Sequence, residues 1–327
     1  MEENLLEVRA LRTHFIGKKG RQTRAVDGLS YSVRRGEFTA IIGESGSGKT
    51  VSVLSLLRLV PYPPGLVLGG SVRFDGQELT ELSDRRMEKL RGKDISMIFQ
   101  EPATALNPVL TIGEQIVEAI RTHLPMSEKQ AWDRAVELLR MVDIPNPEER
   151  VKQYPYEFSG GMQQRAMIAM AMSCDPKLLI CDEPTTALDV TVQAQVLEQI
   201  DHLRKQTGMT VILITHNLGV VARYADSVKI MYGGRIVEQG ETEEIFRHPV
   251  HPYTQGLVRA VPRLDRESET LYTIEGEPPD MSAVPYQSCA FAPRCPRADE
   301  RCLHERPEAE TVGEAGHECA CFHKEGL

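Results

Sequence analysis

The stretch IIGESGSGKT, from Ile41 to Thr50, decides the fold class of this chain. It follows an apolar run that predicts a strand, and it leads into VSVLSLLRL, which has the apolar pattern of a helix. Its Gly43, Gly48, Lys49 and Thr50 match the pattern G-x-x-x-x-G-K-[ST]. This order of strand, loop and helix predicts a phosphate-binding loop, and therefore an α/β fold of the P-loop NTPase type with a RecA-like parallel sheet core.

Each part of this loop has a separate expected role. The glycines let the backbone turn tightly, so that its N–H groups point at a phosphate, and the following helix start adds partial positive charge. Lys49 is expected to reach the β- and γ-phosphates of ATP, and Thr50 to bind Mg²⁺. The alternative is a glycine- and serine-rich loop that matches by chance. The residues expected to contact ATP here are Gly43, Glu44, Ser45, Gly46, Ser47, Gly48, Lys49 and Thr50.

Two carboxylates follow another apolar run, in KLLICDEP (Lys177–Pro184). The run predicts a buried strand, and ligands of parallel sheets bind at the carboxyl ends of the strands. Asp182 is expected to hold Mg²⁺ through the hydration shell of the ion, and Glu183 to polarise the attacking water as general base. The alternative is a pair of acids that merely ends a strand. The phosphate-binding loop upstream favours the catalytic interpretation.

The order of predicted elements outlines the regions of the chain. Short strands and turns up to about Phe99 predict an antiparallel β subdomain, with a hairpin in SVRFDGQEL. Apolar residues at helical spacing predict a helical subdomain over about 101–172, with a capping box at Ser127 and Gln130. Strands then return, with an intervening helix that ends at Gly208. We predict a nucleotide-binding domain over 1–245 and a small, cysteine-rich C-terminal extension over 246–327.

Composition limits the class of protein. The 327 residues carry a formal net charge of −9, which argues against nucleic-acid binding by bulk electrostatics. No stretch approaches the ~18 apolar residues that span a bilayer. The acidic start MEENLLEVRA lacks the basic and apolar regions of a signal peptide. We therefore expect a cytoplasmic protein.

Four further motifs, MIFQEP, YEFSGGMQQR, TTALDV and ILITHNL, follow in this order. With the phosphate loop and the acidic pair, they resemble the motifs of ATP-binding-cassette (ABC) ATPases over roughly residues 5–245. The resemblance implies ATP hydrolysis, with Gln100 as a sensor of Mg²⁺ and water and His216 at the γ-phosphate. Both residues are thereby expected to contact ATP and to assist Glu183 in catalysis. Asp189 corresponds to the D-loop of the family.

The motif YEFSGGMQQR resembles the family's signature sequence, which faces the ATP of a partner cassette. Two ATP molecules are thereby sandwiched between two cassettes, and the residues implied are Ser159, Gly160, Gly161 and Gln163. The residues themselves suggest a helix start that offers N–H groups and a hydroxyl to an anion; a helix cap without a ligand is the alternative. The aromatic residue that stacks on adenine corresponds to Phe15, for which a core position in an edge strand is the alternative.

The later part of the chain narrows the resemblance. HPYTQGLVRAVP (His251–Pro262) and THNLGVVARYADSVKIMYGGRIVEQG resemble the ATPases of dipeptide and oligopeptide importers, whose relatives also carry nickel. This implies a second, paralogous ATPase, two membrane permeases and an external solute-binding protein as partners. It also implies a peripheral position on the cytoplasmic side of the inner membrane. A soluble ABC ATPase acting on DNA or ribosomes is the alternative. The DNA-repair members of the family carry a long inserted coiled coil, and the ribosomal members carry two cassettes. Neither feature occurs in this sequence, which disfavours the alternative.

Five of the seven cysteines lie from CAFAPRCPRADERC (Cys289–Cys302) onward. Disulfides are rare in the cytoplasm, which favours a metal or a cluster. Structural zinc sites pair cysteines about two to four residues apart, whereas five and six residues separate these three. Such loops, with Pro293 and Pro296 beside Cys295, suit thiolates around an iron–sulfur cube. Zn²⁺ and unligated thiols stay open as alternatives.

The same segment resembles the tail of the importer ATPases, some of which hold a [4Fe–4S] cluster there. The resemblance implies Cys289, Cys295, Cys302 and Cys321 as ligands, with Cys319 as the alternative fourth ligand. The simplest role of the cluster is to hold a proline-rich tail that has little apolar core of its own. The remaining cysteines, Cys174 and Cys181, are interpreted as small buried residues.

Overall fold

A computed structural model describes residues 3–17, 20–100, 105–184, 190–261, 272–313 and 316–324. The expected D-loop residue Asp189 and the first part of the expected helical subdomain, 101–104, lie outside the described residues. The chain divides into a first unit, Met1–Glu81 with Ile214–Leu327, and a second unit, Leu82–Leu213.

Strands and helices alternate along much of the described chain. The strands are β1 (Asn4–Ile16), β2 (Gln22–Arg34), β3 (Phe38–Ile42), β4 (Gly65–Phe74), β5 (Gln77–Glu78), β6 (Ile95–Ile98), β7 (Leu178–Asp182), β8 (Thr210–Thr215), β9 (Ser227–Tyr232), β10 (Arg235–Glu241), β11 (Glu310–Thr311) and β12 (Glu318–Cys319). The α-helices are α1 (Lys49–Leu56), α2 (Asp84–Leu90), α3 (Ile112–His123), α4 (Glu128–Met141), α5 (Pro147–Arg150), α6 (Gly160–Ala171), α7 (Val190–Thr207), α8 (Leu218–Tyr224), α9 (Thr242–Arg247), α10 (Pro252–Arg259) and α11 (Glu300–His304). Short 3₁₀ turns lie at Pro155–Glu157 and Ala292–Arg294.

The first unit contains an antiparallel sheet in the order β2-β1-β4-β5. Asp75 and Gly76 join β4 to β5 with φ values of 50° and 77°. Two successive residues at positive φ match the right-handed twist of a hairpin, so the predicted hairpin is confirmed. β1 and β2 each have 13 residues, which corrects the expectation of short strands in this region.

The first unit also contains strands in the order β11-β12-β10-β9-β3, in which β3 and β9 run parallel. Apolar residues of β3 and β9 form a buried core together with Tyr253 of α10 and Phe291. The ring of Tyr232 lies 4.6 Å from that of Tyr253 and 5.1 Å from that of Phe291, in tilted and edge-on contacts. The extension therefore shares the core of this unit, and α10 is the short helix expected in HPYTQGLVRAVP.

In the second unit, β6 and β7 pair in parallel, and the described helices from α3 to α6 lie between them along the chain. Complete capping boxes begin α3, at Thr111 with Glu114, and α4, at the predicted Ser127 with Gln130. α7 is followed by Gly208 at φ 70°, the left-handed cap that the sequence predicted. No helix among the described residues is both long enough and apolar enough to cross a membrane.

Helix α2 was missed by the sequence analysis, which predicted strands and turns up to Phe99. The helix has seven residues and buries Met87, so it is too short to display an apolar repeat. The available signal for a helix start was Ser83, a residue type favoured at the N-cap, followed by the acidic Asp84 in the first turn.

Candidate functional site

The phosphate loop of the first unit connects β3 to α1 and tolerates only glycine at two positions. A Cβ atom on Gly48, at φ 98°, would lie 2.1 Å from the carbonyl oxygen of Ala25. A Cβ atom on Gly43 would lie 2.2 Å from the carbonyl oxygen of Met231. Because backbone atoms cannot yield at such distances, the two glycines let the loop close against the sheet.

The polar side chains of the loop are arranged for an anion. Lys49 is buried, and its Nζ donates to the carbonyl oxygens of Gly43 at 2.8 Å and of Glu44 at 3.0 Å. Ser47 is also buried, and its Oγ has no hydrogen-bond partner among the described atoms. A buried hydroxyl without a partner is costly, so a phosphate oxygen at this position would remove that cost. The neighbouring residues Ser45, Gly46 and Thr50 are exposed.

Glu44 joins this loop to the C-terminal extension. Its backbone N–H donates to the Tyr253 hydroxyl at 2.9 Å. Its carboxylate accepts from Arg294 Nη1 at 2.7 Å and from Nη2 at 3.1 Å. Sequence reasoning missed Arg294 as a site residue, because the two partners are 250 positions apart and no local pattern links them.

The carboxyl ends of two paired strands bring Gln100 and Glu183 together in the second unit. In the parallel pair, Ile98 of β6 lies opposite Cys181 of β7. Gln100 and Glu183 each follow these positions by two residues, so the register carries both side chains to one edge. Gln100 Nε2 donates to Glu183 Oε2 at 3.1 Å. Asp182, the last residue of β7, is buried.

The backbone of Glu183 is in the left-handed region, with φ at 45°. This conformation costs a non-glycine residue roughly 1–2 kcal/mol. Such strain is concentrated at functional sites, where the position of a side chain matters more than local stability. The backbone therefore turns sharply at Glu183, directly after the buried strand β7 ends.

The predicted signature residues begin α6 in the second unit. Ser159 is the N-cap, and its hydroxyl accepts from the Met162 backbone N–H at 3.3 Å. Gly160 is exposed, and a Cβ atom there would meet no atom within 4 Å. Gln163 Nε2 donates to the Pro155 carbonyl oxygen at 2.8 Å. The start of α6 is thus a capped helix end with accessible glycine backbone.

Phe15 and His216 belong to the first unit. Phe15 is half-buried in β1, where it lies opposite Thr23 of β2 and Gly65 of β4. His216 is exposed immediately after β8, and Asn217 next to it caps α8 through its side-chain oxygen. β1 is paired on both sides, so the alternative of an edge strand for Phe15 is wrong. His216 lies at the strand end that the sequence predicted. The roles of both residues remain predictions.

Four of the five clustered thiols influence one another. Burial raises the pKa of each thiol, that of Cys289 to about 11. Repulsion from neighbouring thiols raises these pKa values further: Cys302 acts on Cys289 and Cys295, Cys321 acts on Cys302, and Cys295 acts on Cys321. The backbone N–H of Cys289 also donates to the carbonyl oxygen of Cys302 at 2.9 Å. These interactions link four residues that span 33 positions of sequence, 289 to 321.

Cys319 has a different environment from the other four. It is fully buried in β12, opposite Glu238 of β10. Burial is the main cause that raises the pKa of its thiol, and the nearby Glu238 carboxylate and Cys321 thiol raise it further. Its thiol therefore lies buried at the point where β12 pairs with β10.

A histidine near the thiols was not predicted. His323 Nε2 lies 3.3 Å from Asp299 Oδ2 and 3.7 Å from Cys302 Sγ, and its backbone N–H donates to Cys321 Sγ at 3.3 Å. Within the described ranges, Asp299, Cys302 and His323 form a group whose ligand atoms lie within 4.8 Å of one another. The position of His323 two residues after Cys321 was the signal that could have identified it.

Comparisons with known families agree with this geometry. The family model for the ABC transporter matches residues 26–186, and the model for the oligopeptide/dipeptide transporter C-terminal region matches residues 237–302. An ATP-binding cassette solved as a dimer in a post-hydrolysis state, bound to ADP and Pi, is 25% identical with a TM-score of 0.65. The match covers 72% of this chain and 98% of that chain. The fold is thus that of an ABC ATPase, a P-loop NTPase of the α/β class.

Two curated relatives define the group more closely. The oligopeptide transport ATP-binding protein AppD of Bacillus subtilis is 48% identical, over 97% of this chain and 96% of its own length. The oligopeptide transport ATP-binding protein OppD of Escherichia coli is 47% identical, over 97% of this chain and 93% of its own length. The chain therefore belongs to the ABC transporter ATPases, in the family of oligopeptide and dipeptide transport ATP-binding proteins. It is an ATP-binding, ATP-hydrolysing enzyme.

Proposed function

We propose that this chain is the ATP-hydrolysing motor subunit of an importer for dipeptides and oligopeptides. The observation that carries the proposal is the extent of the likeness, since relatives named for oligopeptide transport match 97% of the chain, extension included. In such a motor, ATP closes a pair of cassettes, and hydrolysis with product release reopens them. The helical subdomain passes this motion to the permeases.

The residues of the phosphate loop have assigned roles in this motor. Lys49 and Ser47 bind phosphate oxygens, and the unpartnered Ser47 Oγ supports this assignment. The family resemblance assigns Thr50 and, separately, Gln100 as residues that would bind Mg²⁺, and Asp182 as one that would act through water. When bound, Mg²⁺ neutralises charge that develops on the transferred phosphoryl group.

The catalytic base is Glu183, which accepts the proton of the attacking water. Gln100 orients the Glu183 carboxylate through the hydrogen bond between them, and both residues lie where ligands of parallel sheets bind. His216 contacts the γ-phosphate, and Phe15 stacks on the adenine. Proton transfer to Glu183 and the positioning of water are the steps that the chain itself supplies.

The start of α6 supports a second cassette as a partner of the motor. Ser159, Gly160 and Gly161, with Gln163, present a helix N-terminus to the ATP of a second, paralogous cassette, and Asp189 keeps the D-loop role that the resemblance implies. Gly160 is exposed, and a Cβ atom there would meet nothing within 4 Å, which supports an external ligand. Two permeases and an external solute-binding protein complete the importer, which holds this subunit on the cytoplasmic side of the inner membrane.

The extension, residues 246–327, is proposed to hold a [4Fe–4S] cluster through Cys289, Cys295, Cys302 and Cys321. The proposal is supported by the family resemblance and by the backbone hydrogen bond that joins Cys289 to Cys302; a bound cation would stabilise the thiolates against the cost of burial. The burial of Cys319 within a strand favours Cys321 as the fourth ligand. Zn²⁺ is the alternative occupant. The nucleotide-binding domain is correspondingly residues 1–245, with the helical subdomain over about 101–172.

Replacement of the proposed base tests the motor. In the reconstituted importer, Glu183→Gln is expected to lower ATP hydrolysis at least about a hundredfold while ATP still binds, because a general base contributes that much to a proton transfer. Glu198→Gln, an exposed change on α7, is the matched control and is expected to retain the wild-type rate. Hydrolysis by Glu183→Gln at the control rate would refute the assignment of the base.

The transported solute requires a separate test. A strain that lacks this chain is expected to lose uptake of labelled dipeptides and oligopeptides and to recover it when the chain is restored. Nickel uptake is measured in the same strains as the alternative. Loss of nickel uptake with normal peptide uptake would overturn the peptide assignment and leave the motor function intact.

A further inference from the structure

Arg294 occupies a buried position between the phosphate loop and the cysteine-bearing segment, Cys289–Cys302. Its side chain is 6% exposed, and that of Glu44, its partner, is 26% exposed. The two guanidinium nitrogens that contact Glu44 reach different carboxylate oxygens, at 2.7 and 3.1 Å. A two-point pair of this kind fixes orientation as well as distance, which a lysine ammonium does not do.

The other donors of Arg294 bind to the body of the first unit. Nε donates to the Glu275 carbonyl oxygen at 2.9 Å, and Nη1 donates to the Tyr232 hydroxyl at 3.2 Å. Arg294 is therefore held by a core strand and by the extension at the same time as it holds the loop. A guanidinium fixed in this way cannot follow Glu44 if the loop moves.

Glu44 is held through all of its polar groups. Its carboxylate binds Arg294, its N–H donates to the Tyr253 hydroxyl at 2.9 Å, and its carbonyl oxygen accepts from Lys49 at 3.0 Å. Lys49 is the cation expected to reach the phosphates. Any displacement of Glu44 would therefore change the position of Lys49 and of the loop N–H groups.

The position of Arg294 in turn depends on the cysteine-bearing segment. The residue ends the 3₁₀ turn Ala292–Arg294, which is closed by Ala292 N–H donating to the Cys289 carbonyl and Cys295 N–H donating to the Ala292 carbonyl. Phe291, just before the turn, is buried against Tyr232 and Tyr253. Apolar packing and the two flanking cysteines thus fix the segment from which Arg294 extends.

We propose that Arg294 is a positioning residue for the phosphate loop, through which the C-terminal extension sets the affinity of the loop for nucleoside phosphates. The inference rests on the proposed ATP binding and adds a residue that lies outside the phosphate loop and acts through Glu44. Its consequence is an energetic coupling between the extension and the nucleotide site, of the size usual for coupled sites in one protein.

The test measures ADP binding to the full-length chain by titration calorimetry, so that hydrolysis does not interfere. Arg294→Met is expected to raise the Kd for ADP about tenfold. Arg294→Lys keeps the charge but not the two-point contact. Its Kd for ADP is expected to lie between those of the wild-type chain and Arg294→Met. In the Glu44→Gln background, Arg294→Met is expected to have little further effect, because both changes break the same pair.

Arg306→Met is the matched control. Arg306 is also in the extension, is 18% exposed and pairs with the buried Asp27 of β2 at 3.0 Å. This variant is expected to lower the free energy of unfolding as Arg294→Met does, but to change the Kd for ADP less than twofold. Equal weakening by both arginine variants, or a wild-type Kd in Arg294→Met, would overturn the proposal. Absence of ADP binding by the wild-type chain would instead refute the proposed function.

Discussion

The phosphate loop and the cysteine-bearing segment are two loops of the first unit that differ in how their parts are assembled. The phosphate loop is continuous in sequence, and its glycines, lysine and helix start make one binding surface within eight residues, 43–50. The thiols of the cysteine-bearing segment interact with that of Cys321, which lies 19 positions beyond its end, and the arginine of the segment reaches a partner 250 positions away. The first is a local motif, whereas the second acquires its environment only by packing.

This difference explains how the two loops depend on each other. The phosphate loop owes its shape to steric limits at Gly43 and Gly48, but Glu44 within it is held by the extension. The cysteine-bearing segment gains its position from Phe291 in the shared core rather than from a core of its own. The proline-rich extension thus contacts the phosphate loop directly, at Glu44.

The largest expected effect concerns the steric limits at the glycines of the phosphate loop. Gly48→Ala is expected to abolish measurable ADP binding with the fold retained, because its Cβ would lie 2.1 Å from the Ala25 carbonyl oxygen. Gly46 also has a positive φ, but a Cβ atom there would meet nothing within 4 Å. Gly46→Ala therefore carries only the conformational cost of the left-handed backbone, roughly 1–2 kcal/mol. Calorimetric titration with ADP and circular dichroism measure both. Equal loss of binding in the two variants would show that conformation alone, and not contact with the sheet, limits the loop.

The next largest effect concerns the cysteines of the extension, which are far apart in sequence. After anaerobic reconstitution with iron and sulfide, Cys321→Ala is expected to lose most of the bound iron and the visible absorption of the cluster. Cys319→Ala is expected to keep both, because Cys319 is fully buried in β12 opposite Glu238 and alanine keeps the backbone pairing. Iron and sulfide per chain are measured in each variant. Retention of iron by Cys321→Ala together with its loss in Cys319→Ala would exchange the two assignments.

The smallest expected effect concerns the pH stability of the extension. Burial lowers the pKa of His251 to about 4, although the Glu238 carboxylate opposes the shift. The unfolded chain has the ordinary value of about 6.5 and therefore binds more protons than the folded chain between these values. Stability rises with pH there, so it is lost as pH falls from about 6.5 to 4, by up to about 3 kcal/mol at 1.36 kcal/mol per pKa unit.

His251→Asn isolates this contribution, because asparagine also caps a helix but does not titrate. His251 Nδ1 accepts from the Tyr253 N–H at 3.1 Å, the bond that an asparagine oxygen would replace. Urea unfolding of the wild-type chain and of the variant at several pH values measures the difference. An equal loss of stability in both on acidification would assign the pH dependence to other groups.

Much of the fold could be predicted from local patterns. The phosphate loop between β3 and α1, the capping box of α4, the turn at Asp75-Gly76 and the glycine after α7 each follow from interactions within a few residues. α2 was missed because seven residues with one buried side chain display no repeat. Where short-range contacts decide the structure, the residues that carry them are neighbours in sequence and can be identified there.

The sequence by itself determined the phosphate loop, the acidic pair after β7 and the presence of grouped cysteines, because glycine sterics, strand ends and residue chemistry are local properties. Only the tertiary structure decided that Gln100 contacts Glu183, that Cys319 is buried in β12 opposite Glu238 and that Arg294 holds Glu44. These contacts depend on the register between β6 and β7, on the pairing of β12 with β10 and on a shared apolar core. Such long-range packing is a sum of many weak contacts, and no short stretch of residues encodes it.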